Sequence, residues 1–279
     1  MTPAELGAIL QSAYEQYHRP EYLHTDPLAV VRRYGDKADR EVVALIAASF
    51  AFGNVVTINK TLEVILQPLG PHPARTLAEW EHSRLARHYR GFVYRWVRAA
   101  DLRIYLAWIG HALREHGSLG ALWASLDDPN EETILPCLAR WVESLTSAEC
   151  RSLGTRKRWL KRPGAPPSSL PSGAHLLLTS PEGKSSCKRM CLFLRWVCRP
   201  DDGIDLGLWP VAPARLVMPV DTHVMKLATR LGLTRRTVAD LRTALEITQA
   251  LREFAPPDPT RFDFAMARVG MMAGSQQPG

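Results

Sequence analysis

Long apolar runs are missing from this sequence. None reaches the roughly 18 residues that a membrane-spanning helix needs, so no membrane partner is expected. The opening Met1-Thr2-Pro3-Ala4-Glu5-Leu6 lacks the basic and then apolar pattern of a secretory leader, which favours the cytoplasm. Convincing period-two alternation is absent as well, and so is any repeat of about 20–50 residues. The expected class is therefore all-α. Cysteine is scarce and odd in number, at five, which fits free thiols better than a disulfide framework. Cys187, Cys191 and Cys198 can share one helix face, but no fourth ligand stands nearby, so they read as small packing residues and no metal is expected. Acidic residues are the scarcer charge, 28 against 35 Lys+Arg, and the resulting +7 favours an anionic partner such as nucleic acid.

What is present is punctuation. Thr2 can cap a first helix with Pro3 at its first position. A strongly apolar helix is expected over about Asp39 to Phe52, and Asn54 opens a second over Val55 to Leu66. The corner between them, Phe52-Gly53-Asn54, is either a plain helix–helix turn or one that projects toward a ligand. Further helices are expected at Ala74–Ala86, Ala99–His116 and Glu131–Ser144, where Pro136 can kink or delay the start. Trp96, Trp108, Trp123 and Trp141 are read as core and helix-contact residues. Arg156, Lys157, Arg158, Lys161 and Arg162 then surround Trp159, and Pro163 to Pro171 is rich in proline and serine. This is a linker, either a solvated basic loop or one that meets phosphates with Trp159 available to stack. It divides the chain into 1–150, 151–183 and 184–279. Beyond it come helices at Thr222–Leu231, Val238–Phe254 and Arg261–Met272.

Two islands in the last segment carry chemistry. In Ser185-Ser186-Cys187-Lys188-Arg189, a lysine enters an apolar helix behind two small hydroxyl residues. The positive end of the helix dipole, worth about 0.3–1 kcal/mol, and the neighbouring Arg189 both disfavour a second cation there. A neutral amine so placed can attack an electrophilic carbon. The same backbone N–H groups offer a seat to a phosphate oxygen. In Pro219-Val220-Asp221-Thr222-His223-Val224, an aspartate opens another helix. Capping alone accounts for it, but a capped aspartate is also held ionised and oriented, fit to stabilise a cationic sugar, orient water or take a proton.

Val220-Asp221-Thr222-His223-Val224, followed by an apolar helix ending Arg230-Leu231-Gly232-Leu233, resembles the catalytic-aspartate segment of the helix-hairpin-helix (HhH-GPD) DNA glycosylases such as endonuclease III. In that superfamily the catalytic lysine opens the helix after the hairpin, where Lys188 stands. The early helix pair with Val56-Thr57-Ile58-Asn59-Lys60 is similar too, and the match puts Phe52 near the residue wedged into DNA beside a flipped base. The whole chain, through Ala48-Ser49-Phe50-Ala51-Phe52-Gly53, Cys187-Lys188-Arg189, Leu194-Arg195-Trp196, Asp201-Asp202-Gly203-Ile204-Asp205-Leu206-Gly207-Leu208-Trp209 and Asp263-Phe264-Ala265, also resembles a bacterial family labelled only as a domain of unknown function.

The resemblance implies two helical subdomains with a helix-hairpin-helix-like element and an active-site cleft between them. It implies a monomeric bacterial enzyme that meets the nucleoid when bound, excising a modified or damaged base from double-stranded DNA in repair or in defence against phage with modified DNA. Lys188 and Asp221 would be catalytic, and abasic-site lyase activity would accompany a lysine nucleophile. Lys184, Ser185, Ser186, Arg189, Phe52, Asn54 and His223 would contact DNA. Three departures stand out. The two glycines of the usual hairpin are reduced to Gly183, no cysteine follows Cys198 so no iron–sulfur cluster is expected, and Arg199 to Met218 lengthens the gap between lysine and aspartate. Asp201, Asp202, Asp205 and Trp209 in that insert are expected either to line the base pocket or to be loop caps. Two other classes stay open: a DNA-binding module without chemistry, and a nuclease using the three insert aspartates with a metal.

Overall fold

Local side chains start most helices of this protein. Thr2 and Glu5 form a capping box at the head of α1 (Pro3–Tyr17). The computed structural model describes residues 1–147, 172–183 and 185–275. The basic segment around Trp159 and Lys184 both lie outside the described residues. After α1 come α2 (Leu28–Val31), α3 (Lys37–Ser49) and α4 (Val55–Leu66). Asp36 caps α3 through the N–H groups of Ala38 and Asp39, and Asn54 caps α4 through Val56. The helix expected at Ala74–Ala86 is two, α5 (Pro73–Glu79) and α6 (His82–His88). The break falls where Trp80 turns extended and its ring stacks on His88, 4.6 Å between centroids.

A short antiparallel hairpin follows, β1 (Val93–Tyr94) with β2 (Val97–Arg98), which the period-two reading misses because each strand is two residues long. Then come α7 (Ala99–His116), α8 (Leu119–Leu126) and α9 (Leu135–Ser147). Pro136 sits in the first turn of α9, where a missing N–H costs nothing, and the helix starts later than Glu131 for that reason. α10 (Ser172–Leu177), α11 (Lys188–Cys198), α12 (Thr222–Arg230), α13 (Leu241–Arg252) and α14 (Asp263–Ser275) complete the order. The fold is predominantly helical, as expected. No helix among the described residues is long and apolar enough to cross a membrane.

The chain divides into two compact units that are not consecutive in sequence. One takes Met1–Ala29, Asp128–Pro136 and Pro181–Gly279; the other takes Val30–Asp127 and Cys137–Ser180. The linear division at about residue 150 does not describe this arrangement. In the first unit α1 packs on α14. The passage through 128–136 is tied in by Arg215, whose guanidinium donates to the carbonyls of Glu131 (3.0 Å) and Asp128 (2.8 Å), while Ile134 N–H donates to the Arg215 carbonyl. In the second unit α3 is buried over most of its length and packs against α5 and α8. Asp39 accepts from the Ala74 N–H, and Glu41 accepts from the Gly120 N–H. Trp108, Trp123 and Trp141 are core residues of this unit; Trp96 is not, standing 38% exposed at the hairpin tip.

The centre of the first unit is a buried ionic network. Arg195 on α11 donates to Asp205 from Nε (3.2 Å) and Nη2 (3.0 Å), and to Asp263 from Nη1. Arg199 donates to the other oxygen of Asp205 and, from Nε, to Asp258 at 2.9 Å. Asp202 lies 3.2 Å from Arg199 and 2.7 Å from His18 Nε2 on the chain just after α1. Burial would raise the Asp202 carboxyl, but the His18 bond and the Arg199 charge outweigh it and hold the group well below the usual carboxylate range. Removing one partner of such a network leaves an uncompensated buried charge, which costs about 3–5 kcal/mol. Asp205→Ala strips both guanidiniums of their shared acceptor and is expected to lower unfolding stability by about that amount in urea titration. A loss below about 1 kcal/mol would contradict the assignment of Asp205 as the hub.

Candidate active site

Both islands belong to the first unit, and the fold brings them together. The chain enters α11 through Cys187, a buried non-glycine residue with φ of +52°, whose N–H donates to Ser185 Oγ at 3.2 Å. The left-handed turn that glycine would take without strain is thus made by cysteine, at about 1–2 kcal/mol. It delivers Lys188 as the first helical residue. Asp221 is held from the other side. Its Oδ1 accepts from the N–H groups of His223 and Val224, both 2.9 Å, and so caps α12. Its Oδ2 lies 3.2 Å from Lys188 Nζ. One carboxylate therefore does two jobs, and the capping and functional readings of Asp221 are both realised in geometry.

The pair is neither buried nor free in solvent, with side chains 29% and 21% exposed. Burial alone would raise the Asp221 carboxyl, but the Lys188 charge and the Val224 N–H bring it below its ordinary value. Beneath it lies a second carboxylate that site reasoning from sequence leaves out. Asp263 opens α14, is buried, and is bound by Arg195. Burial pushes its carboxyl up to about 6 against the pull of Arg195; the Asp221 charge adds to the rise, and Lys188 opposes it. α12 and α14 pack closely enough that a Cβ on Gly270 would meet the His223 carbonyl at 3.0 Å, so the helix that carries Asp221 is seated on the helix that Asp263 opens. The neighbouring Cys191 thiol is pushed well up, first by burial and then by Cys187 and Asp263, which leaves it an unreactive packing group.

The other expected site residues fall in three groups. Ser185 is exposed, and Ser186, Arg189 and His223 are half-buried around the pair. Phe52 and Asn54 belong to the second unit, where Asn54 caps α4 and Phe52 lies among aromatic rings. The insert residues are corrected by the structure. Asp205 is fully buried between Arg195 and Arg199, Asp202 is engaged by His18 and Arg199, and Asp201 accepts from the Gly203 N–H. Trp209 is buried edge-on to Phe193 at 5.3 Å. These groups hold the insert against α11, whose end carbonyls accept from Leu206, Leu208 and Trp209 N–H groups at 2.8 Å each. Gly207, with φ of +60°, makes the tight return, and a Cβ there would stand 2.7 Å from the Asp201 nitrogen. The insert is a structural plug on α11, so Asp202 and Asp205 are unavailable as ligands of a catalytic metal. Among the described residues no group of His, Cys, Asp or Glu is arranged to hold one.

A family of proteins of unknown function, DUF2400, matches residues 26–272. The chain belongs to the DUF2400 family. No curated protein and no solved structure matches it. The matched span includes both units and every element of the Lys188–Asp221 site.

The double use of Asp221 has a measurable signature. Asp221→Asn keeps a capping oxygen, whereas Asp221→Ala loses it and is expected to unfold about 1 kcal/mol more easily at neutral pH. Because the folded-state carboxyl sits below its unfolded value, the charge-dependent part of the stability is present above the unfolded pKa of about 3.9 and is lost as pH falls through the folded value. The stability difference between wild type and Asp221→Asn should therefore shrink on acidification below about pH 4. Urea midpoints measured across that range check both statements, and a pH-independent difference would contradict the ion pair.

Proposed function

We propose that this DUF2400 protein is a DNA glycosylase that hydrolyses the N-glycosidic bond of a modified or damaged base in double-stranded DNA. The observation that carries the reading is the Lys188–Asp221 pair: an amine and a carboxylate 3.2 Å apart, each at the mouth of a helix, partly exposed, with the carboxylate oriented by two backbone N–H groups. The order of lysine then aspartate on successive helices, and the resemblance to HhH-GPD glycosylases on those residues, support it. So does the excess of basic residues.

The chemistry fits the groups. A nucleotide is extruded from the stack at a cost of a few kcal/mol, offset by pocket contacts. Lys188 gives a proton to Asp221 and its amine attacks C1′. The C1′–N bond breaks, and the base departs with the bonding electrons and takes up a proton. The lysine–C1′ adduct can then lose a further proton and open to a Schiff base, from which strand cleavage follows. If water is the nucleophile instead, Asp221 takes its proton and the sugar cation is stabilised by the same carboxylate.

Borohydride is expected to trap a covalent protein–DNA adduct with a cognate substrate, and Lys188→Ala is expected to abolish it. Base release without any trappable adduct would rule out the amine route in favour of water. Mass spectrometry of free bases released from a panel of damaged and hypermodified DNAs identifies the substrate. Binding to abasic or mismatched DNA that is insensitive to Asp221→Asn, with no base released from any panel member, would replace the enzyme reading with a binding module.

Asp263 adds a pH dependence of known sign. Below about pH 6 its carboxyl is neutral; above it, the ionised group adds negative charge beside Lys188 and Asp221 and favours a cationic sugar. Single-turnover base release should rise through about pH 6. Asp263→Asn should flatten that limb while leaving others in place, and an unchanged inflection in the variant would exclude Asp263 as its source.

A further inference from the structure

The second unit presents a feature that the reading above does not use. Arg90-Gly91-Phe92-Val93-Tyr94-Arg95-Trp96-Val97-Arg98 interleaves aromatic and basic residues with no acid, and it forms the β1–β2 hairpin. Tyr94 pairs with Val97, so Arg95 and Trp96 are the two residues of the turn. Arg95 has φ of +52°, a region that such turns usually give to Gly or Asn. A strained arginine at an exposed tip is a reason to ask what the tip does.

The rings behind the tip give an answer. Phe50 is fully buried; Phe52 stacks on it at 6.2 Å and 21°, and Trp96 stacks on Phe52 at 5.0 Å and 10°. Tyr94 packs on Phe52 at 5.0 Å and its hydroxyl donates to the Phe52 carbonyl, fixing the corner to the hairpin. Phe52 is therefore the middle ring of three. It cannot be pushed between base pairs without leaving both neighbours. The ring presented to solvent is Trp96, 38% exposed, with the Arg95 guanidinium 5.9 Å from the Phe52 ring. On the solvent face of the hairpin, exposed Arg98 stands opposite exposed Val93.

We infer that the Arg95–Trp96 tip is a stacking platform for an unpaired nucleobase of a nucleic-acid strand, with Phe52 as its backing. A flat ring of fixed orientation takes any base on its π-face, and exposed arginines beside it attract the phosphates on either side of that base. The same arginines repel a cationic side chain, which argues against a lysine-bearing peptide as the occupant. The inference goes beyond the glycosylase reading, and it does not require that Lys188 and Asp221 do any chemistry.

The test uses the full chain and fluorescein-labelled oligonucleotides: a single strand, a duplex with a one-base bulge and a fully paired duplex, titrated at one fixed salt concentration. Trp96→Ala is expected to weaken binding to the single-stranded and bulged DNAs by about 5- to 150-fold, the loss of one base–aromatic stack, with a smaller change for the paired duplex. Trp96→Phe keeps a ring and should stay within about threefold. Arg95→Ala should reduce the slope of log affinity against log salt by about one. Arg95→Gly relieves the strained turn, so it should melt no lower than wild type and still bind more weakly. Wild-type affinity of Trp96→Ala for all three DNAs overturns the platform, as does failure of any of them to bind the wild-type chain. Trp96-dependent capture of a peptide but not of DNA overturns it in favour of a protein partner. The two readings fail separately: loss of binding in Trp96→Ala with no base release from any substrate sinks the glycosylase and leaves the platform. Base release with Trp96→Ala binding intact does the reverse.

Discussion

Asp205 sits between two buried arginines, and much of the first unit is arranged to make that tolerable. A single carboxylate takes three donor contacts from Arg195 and Arg199. Each guanidinium then reaches a second acid, Asp263 or Asp258. Isolated, any of these charges would be costly in an apolar interior; together they fix the azimuth of α11 about its own axis. That matters because Lys188 begins the same helix. The network at the far end of α11 decides which way the amine at the near end faces, and Asp263 links the network to the Lys188–Asp221 pair.

Helix starts are the most legible part of the sequence, because capping is decided within three residues. Thr2, Asn54 and Asp221 all cap where their residue types suggest, and Pro136 delays α9 as its missing N–H requires. The hairpin at Val93–Arg98 is too short to leave a period, and Trp96 there is placed by tertiary stacking that sequence spacing does not encode. A signal was present nonetheless: aromatic residues alternating with arginines and no acids is unlike a core segment.

The insert from Arg199 to Met218 is the instructive misreading. Three aspartates between two catalytic candidates look like a polar pocket. Yet Ile204, Leu206, Val211 and Leu216 to Met218 are all buried, and that apolar content was the better guide. The carboxylates accompany the chain inward because Arg195 and Arg199 are already there. Neither arginine advertises its burial; lone arginines on a helix ordinarily lie at the surface. Asp263 escaped for a related reason, since its neighbours come from α11 and α12, far away in sequence. The fold class and the reacting pair could be read from local pattern, while everything that supports the pair is long-range.

The division of the chain between units also has a temporal side. Met1–Ala29 leaves the ribosome first, but α11 to α14, the helices it shares a unit with, are made last. At ordinary rates of synthesis that leaves about 10–30 s in which α1 has no partner for its apolar side, while Val30–Asp127 can already collapse. The nascent protein must keep its beginning idle and soluble until its end arrives. The near-absence of fully buried residues in α1, with Leu10 alone, suits a helix that has to wait.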